Sequence, residues 1–451
     1  MRIDEMLARN ARMYPNEISL VERNAMKGTR REITWKQFEE RANKMANALM
    51  ERGVKKKDKV LLLMYNCINW FECFFGIIRT GAWVIPLNYR FTSEDIKYCN
   101  DLCEAKVFIY SQEFSERVQT IESKLSSVKN YICVDEGLQK GAEEFEKVMD
   151  ESSEKIPQVE IRDEDGCGLY FTAGTTGPPK AVLLTHKNME SAAITVCINE
   201  RKRHADNFVF LAPLYHVGST MRWFGNLIVG SRGTMLIGTR PEHILEAMSE
   251  EKGTILMLVV PWARDTLEAL ERGEIRKADY DLNHWRLVTL GAQPIPASLV
   301  MRWKEYFPEV QYDTGYGLTE TAGTGVIHLG VENWRKAPAI GKPGFNWEAR
   351  IVDENDTDVA IEEVGELIVR GNGVMEEYYK NLEETAKALK GGWLHTGDLA
   401  KVDEEGFIYL VERKKDLIIS GGENIYPIDV ESVLVRHPKI HDAALMGVPD
   451  E

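Results

Sequence analysis

The stretch from Phe171 to Lys180 reads FTAGTTGPPK and holds the most telling chemistry in the chain. Thr172, Thr175 and Thr176 offer hydroxyls, and Lys180 ends the run with a cation. Gly174 and Gly177 let the backbone take positive φ and approach a ligand closely. Successive N–H groups in such a loop form an anion-binding concavity, to which hydroxyls and an ammonium add donors. Phosphate is the natural guest. The spacing is not the G-x-x-x-x-G-K-[ST] of a Walker A loop opening a helix. Gly168–Thr172 reads as a strand entering the loop and Ala181–Leu184 as one leaving it, so a strand–loop–strand clamp is expected. The bland alternative is a solvated turn.

The elements around the loop alternate. Thr34 with Gln37 forms a capping-box pattern, Phe38, Ala42, Met45 and Leu49 follow at helical spacing, and Gly53 supplies a stop. Val60–Met64 reads as a buried strand, Trp70–Arg79 as an apolar helix, Thr92 as a helix start and Lys106–Tyr110 as the next strand. Beyond the loop, strands are expected at Thr234–Ile237, Ile255–Val259, Leu287–Leu290 and Val310–Asp313. Helices with proline in the first turn are expected at Pro241–Glu251, Pro261–Glu271 and Pro296–Tyr306. Such alternation implies mostly parallel sheets covered by helices on both faces. From about residue 345 short turn-separated segments (Glu348–Asp353, Gly365–Arg370, Gly406–Val411) point to an antiparallel sheet or distorted barrel. A basic triplet, Arg413-Lys414-Lys415, and the pair Gly421-Gly422 then read as a hinge. After them come a strand (Asp416–Ile419), a helix opened by Pro427 and the start of a strand at Ala443–Gly447.

At 451 residues, with 28% charged and 44% hydrophobic residues, the chain has the balance of a globular protein of two or three units. Its net charge of -15 opposes nucleic-acid binding, which needs a basic surface. The first residues lack the apolar core of a signal peptide, and no apolar run is long enough to span a bilayer. Seven cysteines, none in C-x-x-C, fit reduced thiols in a cytoplasmic enzyme. Cys99 and Cys103 lie four apart in a helical stretch without a completing zinc ligand. Oligomeric state stays open, a homodimer included.

Further segments fall in a telling order: LAPLYHVGS (211–219), GAQP (291–294), YGLTET (316–321), GWLHTGDLA (392–400) and RKKDLIISGGENIYPIDVE (413–431). With the phosphate loop, they resemble the adenylate-forming superfamily of acyl-CoA synthetases, luciferases and peptide-synthetase adenylation domains. The resemblance covers nearly the whole chain. It implies an α/β fold of two helix-covered, mostly parallel sheets plus a distorted antiparallel β-barrel subdomain, followed by a small α+β domain. Residues 1–412 would form the large domain, with two α/β subdomains to about 344 and the barrel-like subdomain over about 345–412. Residues 413–415 would be the hinge, and 416–451 the start of a shortened C-terminal domain.

The implied reaction has two steps, using ATP, Mg2+ and coenzyme A. A carboxylate attacks the α-phosphate of ATP, giving acyl-adenylate and pyrophosphate; a thiol then displaces AMP. The resemblance places Thr172, Ala173, Gly174, Thr175, Thr176, Gly177 and Lys180 on the leaving phosphates. Tyr316 would stack on adenine, with Ala292, Gln293 and Pro294 as the opposite wall. Asp313, Thr314, Gly315 and Gly317 complete the nucleotide contacts. Thr319 would touch the α-phosphate and Glu320 hold Mg2+. Asp398 would accept from the ribose hydroxyls and Arg413 donate to the same sugar. Lys415 is the implied pivot, and Gly421 and Gly422 lie along the coenzyme A tunnel.

Ala173 and Ala181 stand where the family usually has serine and glycine, which alters phosphate contacts without removing the backbone donors. Family members also continue further and place a lysine near their end. A shortened chain that adenylates poorly is therefore expected, since one preorganised cationic donor is worth about two to three orders of magnitude in rate.

The acyl side carries some information. Amino-acid adenylation domains place an aspartate after the Pro213 region; Tyr215-His216-Val217-Gly218-Ser219 has none. Acetyl-CoA synthetases carry tryptophan at the position of Gly317, so Gly317 is expected to leave room for a larger group. His216 is the candidate gate between ATP and acyl sites, or else a packed neutral histidine. Val217, Met221, Trp223, Gly291, Gly315, Gly317 and Thr324 are candidate pocket walls, Trp223 being either a tunnel cap or core. Medium or long fatty acids are the first expectation and aromatic acids the second. A luciferase-like or carrier-loading enzyme and a non-catalytic nucleotide- or acyl-binding remnant are the competing readings.

Overall fold

A computed structural model describes residues 1–134, 141–172, 179–327, 331–414, 416, 418–420, 423–434, 437, 440 and 443–448. Strict alternation in the central strands sets its layers. In the strand Lys59–Leu63, Val60 and Leu62 join one core while Leu61 and Leu63 join another. In the strand Asn207–Phe210, Phe208 and Phe210 share the core of Val60 and Leu62, and Val209 faces the opposite way. Two sheets therefore clamp one shared helical layer, and each carries helices on its outer face. The shared layer includes Trp35–Glu51, Ile68–Arg79, His186–Asn199 and Val217–Val229. Every residue of Ile68–Arg79 is buried, as a helix packed on all sides must be.

The first sheet runs Lys342–Pro343, Gly325–Ile327, Gln311–Gly317, Leu287–Gly291, Ile255–Val259, Asn207–Phe210, Arg232–Ile237, Ile18–Asn24 and Thr29–Thr34. Its centre is parallel, and antiparallel pairs close both edges. Arg232–Ile237 lies on one side of Asn207–Phe210, and the next strand in sequence, Ile255–Val259, on the other. That reversal creates a crevice at the carboxyl ends of the strands, the usual ligand position in such sheets. The second sheet runs Glu377–Tyr378, Ala181–Thr185, Gly166–Phe171, Trp83–Pro86, Lys59–Leu63, Val107–Ser111, Asn130–Val134 and Glu143–Glu144. Gly166–Phe171 and Ala181–Thr185 pair antiparallel around the phosphate loop, as its sequence predicts.

The third sheet is antiparallel, with Trp347–Val352, Gly365–Gly371, Leu394–Val402 and Ile408–Arg413 in that order. It is open: among the described residues its edge strands Trp347–Val352 and Ile408–Arg413 do not pair, so no closed barrel forms. Thr34 and Gln37 cap reciprocally as expected, and Gly53 takes φ +77°. Pro296 is the N-cap of its helix rather than its first residue. Near the end, the strand is Ile418–Ser420 and the helix Pro427–Leu434. Ala443–Gly447 is irregular rather than a strand.

Candidate functional site

The motif residues gather where strands of the first sheet end. LAPLYHVGS follows Asn207–Phe210, GAQP follows Leu287–Gly291, and YGLTET closes Gln311–Gly317. Asn66, just beyond a strand of the second sheet, holds the first of these loops. Its amide donates to the Ala212 carbonyl at 2.9 Å and its side-chain oxygen accepts from Leu214 N–H at 2.9 Å. The loop thus belongs to both sheets.

Three distant motifs meet at Tyr316. Its hydroxyl donates to Asp398 Oδ2 at 2.6 Å, and Arg413 Nε lies 3.5 Å from Asp398 Oδ1. Asp398 faces Arg413 directly across an antiparallel ladder. Tyr316 is 9% exposed and Asp398 7%. Burial and the neighbouring Asp398 carboxylate push the Tyr316 phenol well above its ordinary range, so it remains a donor. The sequence reading brought these residues together; their direct bond was not foreseen. Ala292, Gln293 and Pro294 are exposed at the end of their strand. Ala292 holds φ +70°, a left-handed conformation that costs a residue with a Cβ roughly 1–2 kcal/mol.

A second cluster surrounds the ends of the phosphate loop. Thr172 N–H donates to the Lys180 carbonyl at 2.9 Å, and Lys180 N–H to Thr172 Oγ1 at 3.3 Å. Ala173, Gly174, Thr175, Thr176 and Gly177 lie outside the described residues, as do Lys415, Gly421 and Gly422. The Lys180 ammonium meets Glu384 Oε2 at 2.6 Å and sits 4.7 Å above the Tyr378 ring. Hydrogen bonds from Lys180 and Lys387 hold the Glu384 carboxyl below its usual range. The Tyr378 hydroxyl in turn donates to Glu320 Oε1 at 2.7 Å, and Met375 N–H to the Glu320 carbonyl at 2.8 Å. Thr319 and Glu320 begin a short 3-10 turn. Tyr378 and Glu384 escaped the sequence reading; the tyrosine pair in Met375–Tyr379 was the only available signal.

Glu320 as a lone carboxylate still suits Mg2+. Among the described residues no three His, Cys, Asp or Glu side chains cluster as a dedicated metal cage. Mg2+ commonly takes one or two carboxylates and leaves its other positions to water and substrate phosphate.

His216 caps the helix Val217–Val229 and is exposed, its ring 4.3 Å from that of Tyr215, which lies 5.1 Å from Tyr89. It is not a packed core histidine. Partial loss of water and the nearby Arg90 charge lower its pKa. Val217 and Met221 are buried in the shared core layer. Trp223 is wholly buried against Phe38, Phe71, Phe75 and Phe224, so it is core and not a tunnel cap.

Three further expectations need correction. A Cβ at Gly317 would lie 2.5 Å from the backbone of Gly323 and Thr324, so that direction is filled by returning chain rather than open to an acyl group. Gly323 itself comes within 2.6 Å, as a Cβ, of Gly218 Cα. Open space lies instead beside Gly291 and Gly218. Asp313 is no nucleotide contact: it points away from Tyr316 on the alternating strand and accepts from the Asn199 amide at 3.1 and 3.0 Å. The Thr314 hydroxyl is committed to the Leu290 carbonyl at 2.9 Å. Gly315 shares the strand face of Asp313, and Thr324 is buried.

A family described as AMP-binding enzyme matches residues 7–379. A feruloyl-CoA synthase of an Amycolatopsis species is 31% identical over 98% of this chain and 84% of its own length. A long-chain-fatty-acid–CoA ligase of Mycobacterium tuberculosis is 28% identical over 93% of this chain and 81% of its own. The solved O-succinylbenzoate coenzyme A synthetase of Bacillus subtilis, in complex with ATP and magnesium ion, superposes with a TM-score of 0.85 at 25% identity. It covers 99% of this chain and 87% of that one.

Proposed function

The chain belongs to the AMP-binding enzymes, and on that premise we propose an AMP-forming acid–CoA ligase whose nucleoside seat is Tyr316, Asp398 and Arg413. Its substrates are a carboxylic acid, ATP and coenzyme A. Adenine stacks on Tyr316 beside Ala292–Pro294, and Asp398 accepts from the ribose hydroxyls while Arg413 donates. Thr172 and Lys180 hold the phosphates that leave. Glu320 would hold Mg2+, which supplies charge neutralisation on those phosphates.

The chemistry asks for alignment and charge compensation more than for acid–base help, because a carboxylate is already ionised near neutrality. In the first step a carboxylate oxygen bonds to the α-phosphorus and the bond to pyrophosphate breaks. In the second the thiol sulfur bonds to the acyl carbon, the bond to AMP breaks, and the thiol proton passes to solvent. His216, at the mouth between the two sites, acts as the gate. Residues 413–415 serve as the hinge for the segment that follows. The observation that carries this reading is the contact among Tyr316, Asp398 and Arg413, residues far apart in sequence.

For the acid, a medium or long fatty acid remains the first reading, supported by the open space beside Gly291 and Gly218, where a Cβ would meet nothing within 4 Å. An aromatic acid is the second, favoured by the ring sequence Tyr89, Tyr215, His216 at the mouth. Acid-dependent exchange of pyrophosphate into ATP, followed by AMP release that requires coenzyme A, tests the function. Absence of acid-dependent exchange across fatty and aromatic acids would contradict it.

A further inference from the structure

Deepening the ligase reading and resting on it, we infer that the acyl slot ends on a polar floor of Arg222, Asp313 and Asn199, which selects acids bearing an oxygen group at the end remote from the reacting carboxylate.

The helix and the strand that meet at Arg222 and Asp313 both pass from glycine to an ionic side chain, and the space beside Gly218 and Gly291 is what would lead an acyl group toward them. Gly218 and Arg222 are one turn apart on the helix Val217–Val229 and share a face; Gly315 and Asp313 are two apart on the strand Gln311–Gly317 and share a face. Near the mouth, the positions are glycine, and at Gly218 and Gly291 nothing lies within 4 Å of where a Cβ would stand. One step deeper, both walls become ionic. Arg222 Nη1 contacts the Glu200 carboxylate and lies 3.9 Å from Asp313 Oδ2. Asn199 donates to both Asp313 oxygens, and Lys202 balances Glu200 at 2.9 Å.

A buried ion cluster can serve stability alone, but two features of this one point to a guest. The Asn199 side-chain oxygen is buried without a partner among the described residues, a costly state in a finished core. Only Nη1 of the Arg222 guanidinium has a partner among those residues, and its side chain keeps 13% exposure. Its remaining N–H donors therefore face space. Burial, opposed by Arg222 and reinforced by Glu200, holds the Asp313 carboxyl up to about 7. Once it is protonated, Glu200, Lys202 and Arg222 leave a net positive floor. An alkyl terminus would reach these donors and pair with none of them; a hydroxyl or carboxylate oxygen would.

The test uses acylsulfamoyl adenosines, adenylate mimics that bind without turnover, titrated calorimetrically into the full chain. The matched probes are octanoyl with ω-hydroxyoctanoyl and ω-carboxyl forms, and cinnamoyl with p-hydroxycinnamoyl. A polar-ended member should bind about a hundredfold tighter than its plain partner in at least one series, the scale seen when a site's polar groups would otherwise stay unpaired. The Arg222→Met, Asp313→Asn double variant, which removes the guanidinium donors and the ionisable carboxyl together, should bring that ratio close to one. Equal binding of plain and polar-ended mimics by the wild-type chain overturns the inference and leaves the ligase reading standing. Failure of every mimic to bind overturns both.

Discussion

Removing the Tyr316 hydroxyl separates two roles that its geometry combines. Tyr316→Phe keeps the ring and deletes the 2.6 Å donor to Asp398. Hydrogen bonds to charged groups contribute about 1.5–3 kcal/mol. Arg413 at 3.5 Å still faces the carboxylate, so the lower end applies, and a stability loss of about 1.5 kcal/mol is expected. AMP binding should weaken only about fivefold, since the stacking face survives and Asp398 is merely less constrained. Tyr316→Ala loses the face as well. Base-on-ring stacking is worth roughly 1–3 kcal/mol, so AMP affinity should fall by a further factor of about five to 150. Isothermal titration with AMP, beside urea denaturation of each variant, reads both quantities. A folded Tyr316→Ala chain that binds AMP like the wild type would refute the assignment of this ring to adenine.

Other outcomes follow from single contacts. Glu384→Gln frees the Lys180 ammonium; the pair is partly exposed, so ATP affinity should rise only about two- to fivefold, measured as a KM for ATP and lost in added salt. Unchanged KM would show that Lys180 does not meet the triphosphate. Gly323→Ala should lower the denaturation midpoint strongly, because φ is +75° and its Cβ would strike Gly218 at 2.6 Å. Gly291→Ala should fold normally and alter acid preference, having open space for its methyl. Asp313, its carboxyl raised to about 7 mainly by burial, binds a proton in the folded chain that the unfolded chain releases near 4. It therefore makes stability fall as pH rises from about 4 to 7, and Asp313→Asn should remove that slope in urea melts at stepped pH. Buried His186, lowered to about 4 by burial, acts oppositely: stability falls as pH drops from 6.5 to about 4, and His186→Phe should flatten that limb.

Much of the site was legible because its motifs are local. The loop's flanking strands, the capped helices and the grouping of Tyr316, Asp398 and Arg413 required only spacing, turn chemistry and the family resemblance. What escaped depended on the path of chain elsewhere. Gly317 looks like vacant space until Gly323 and Thr324 fold back over it. Trp223 is equally plausible as tunnel cap or core in sequence; the aromatic residues that enclose it come from two other helices. The Tyr378–Glu320 bond joins an edge strand of the second sheet to the 3-10 turn after Gln311–Gly317, 58 residues away in sequence, so spacing alone does not announce it. Asp313 is the instructive case: period-two alternation already puts it on the face opposite Tyr316, and the motif's outline obscured that.

The most direct test incubates the full chain with ATP, Mg2+ and a panel of fatty and aromatic acids, and follows products by mass spectrometry. An acyl-adenylate should form with one class of acid, and adding coenzyme A should convert it to an acyl thioester with equimolar AMP. Release of ADP and phosphate, or ATP consumption indifferent to every acid, would contradict the account.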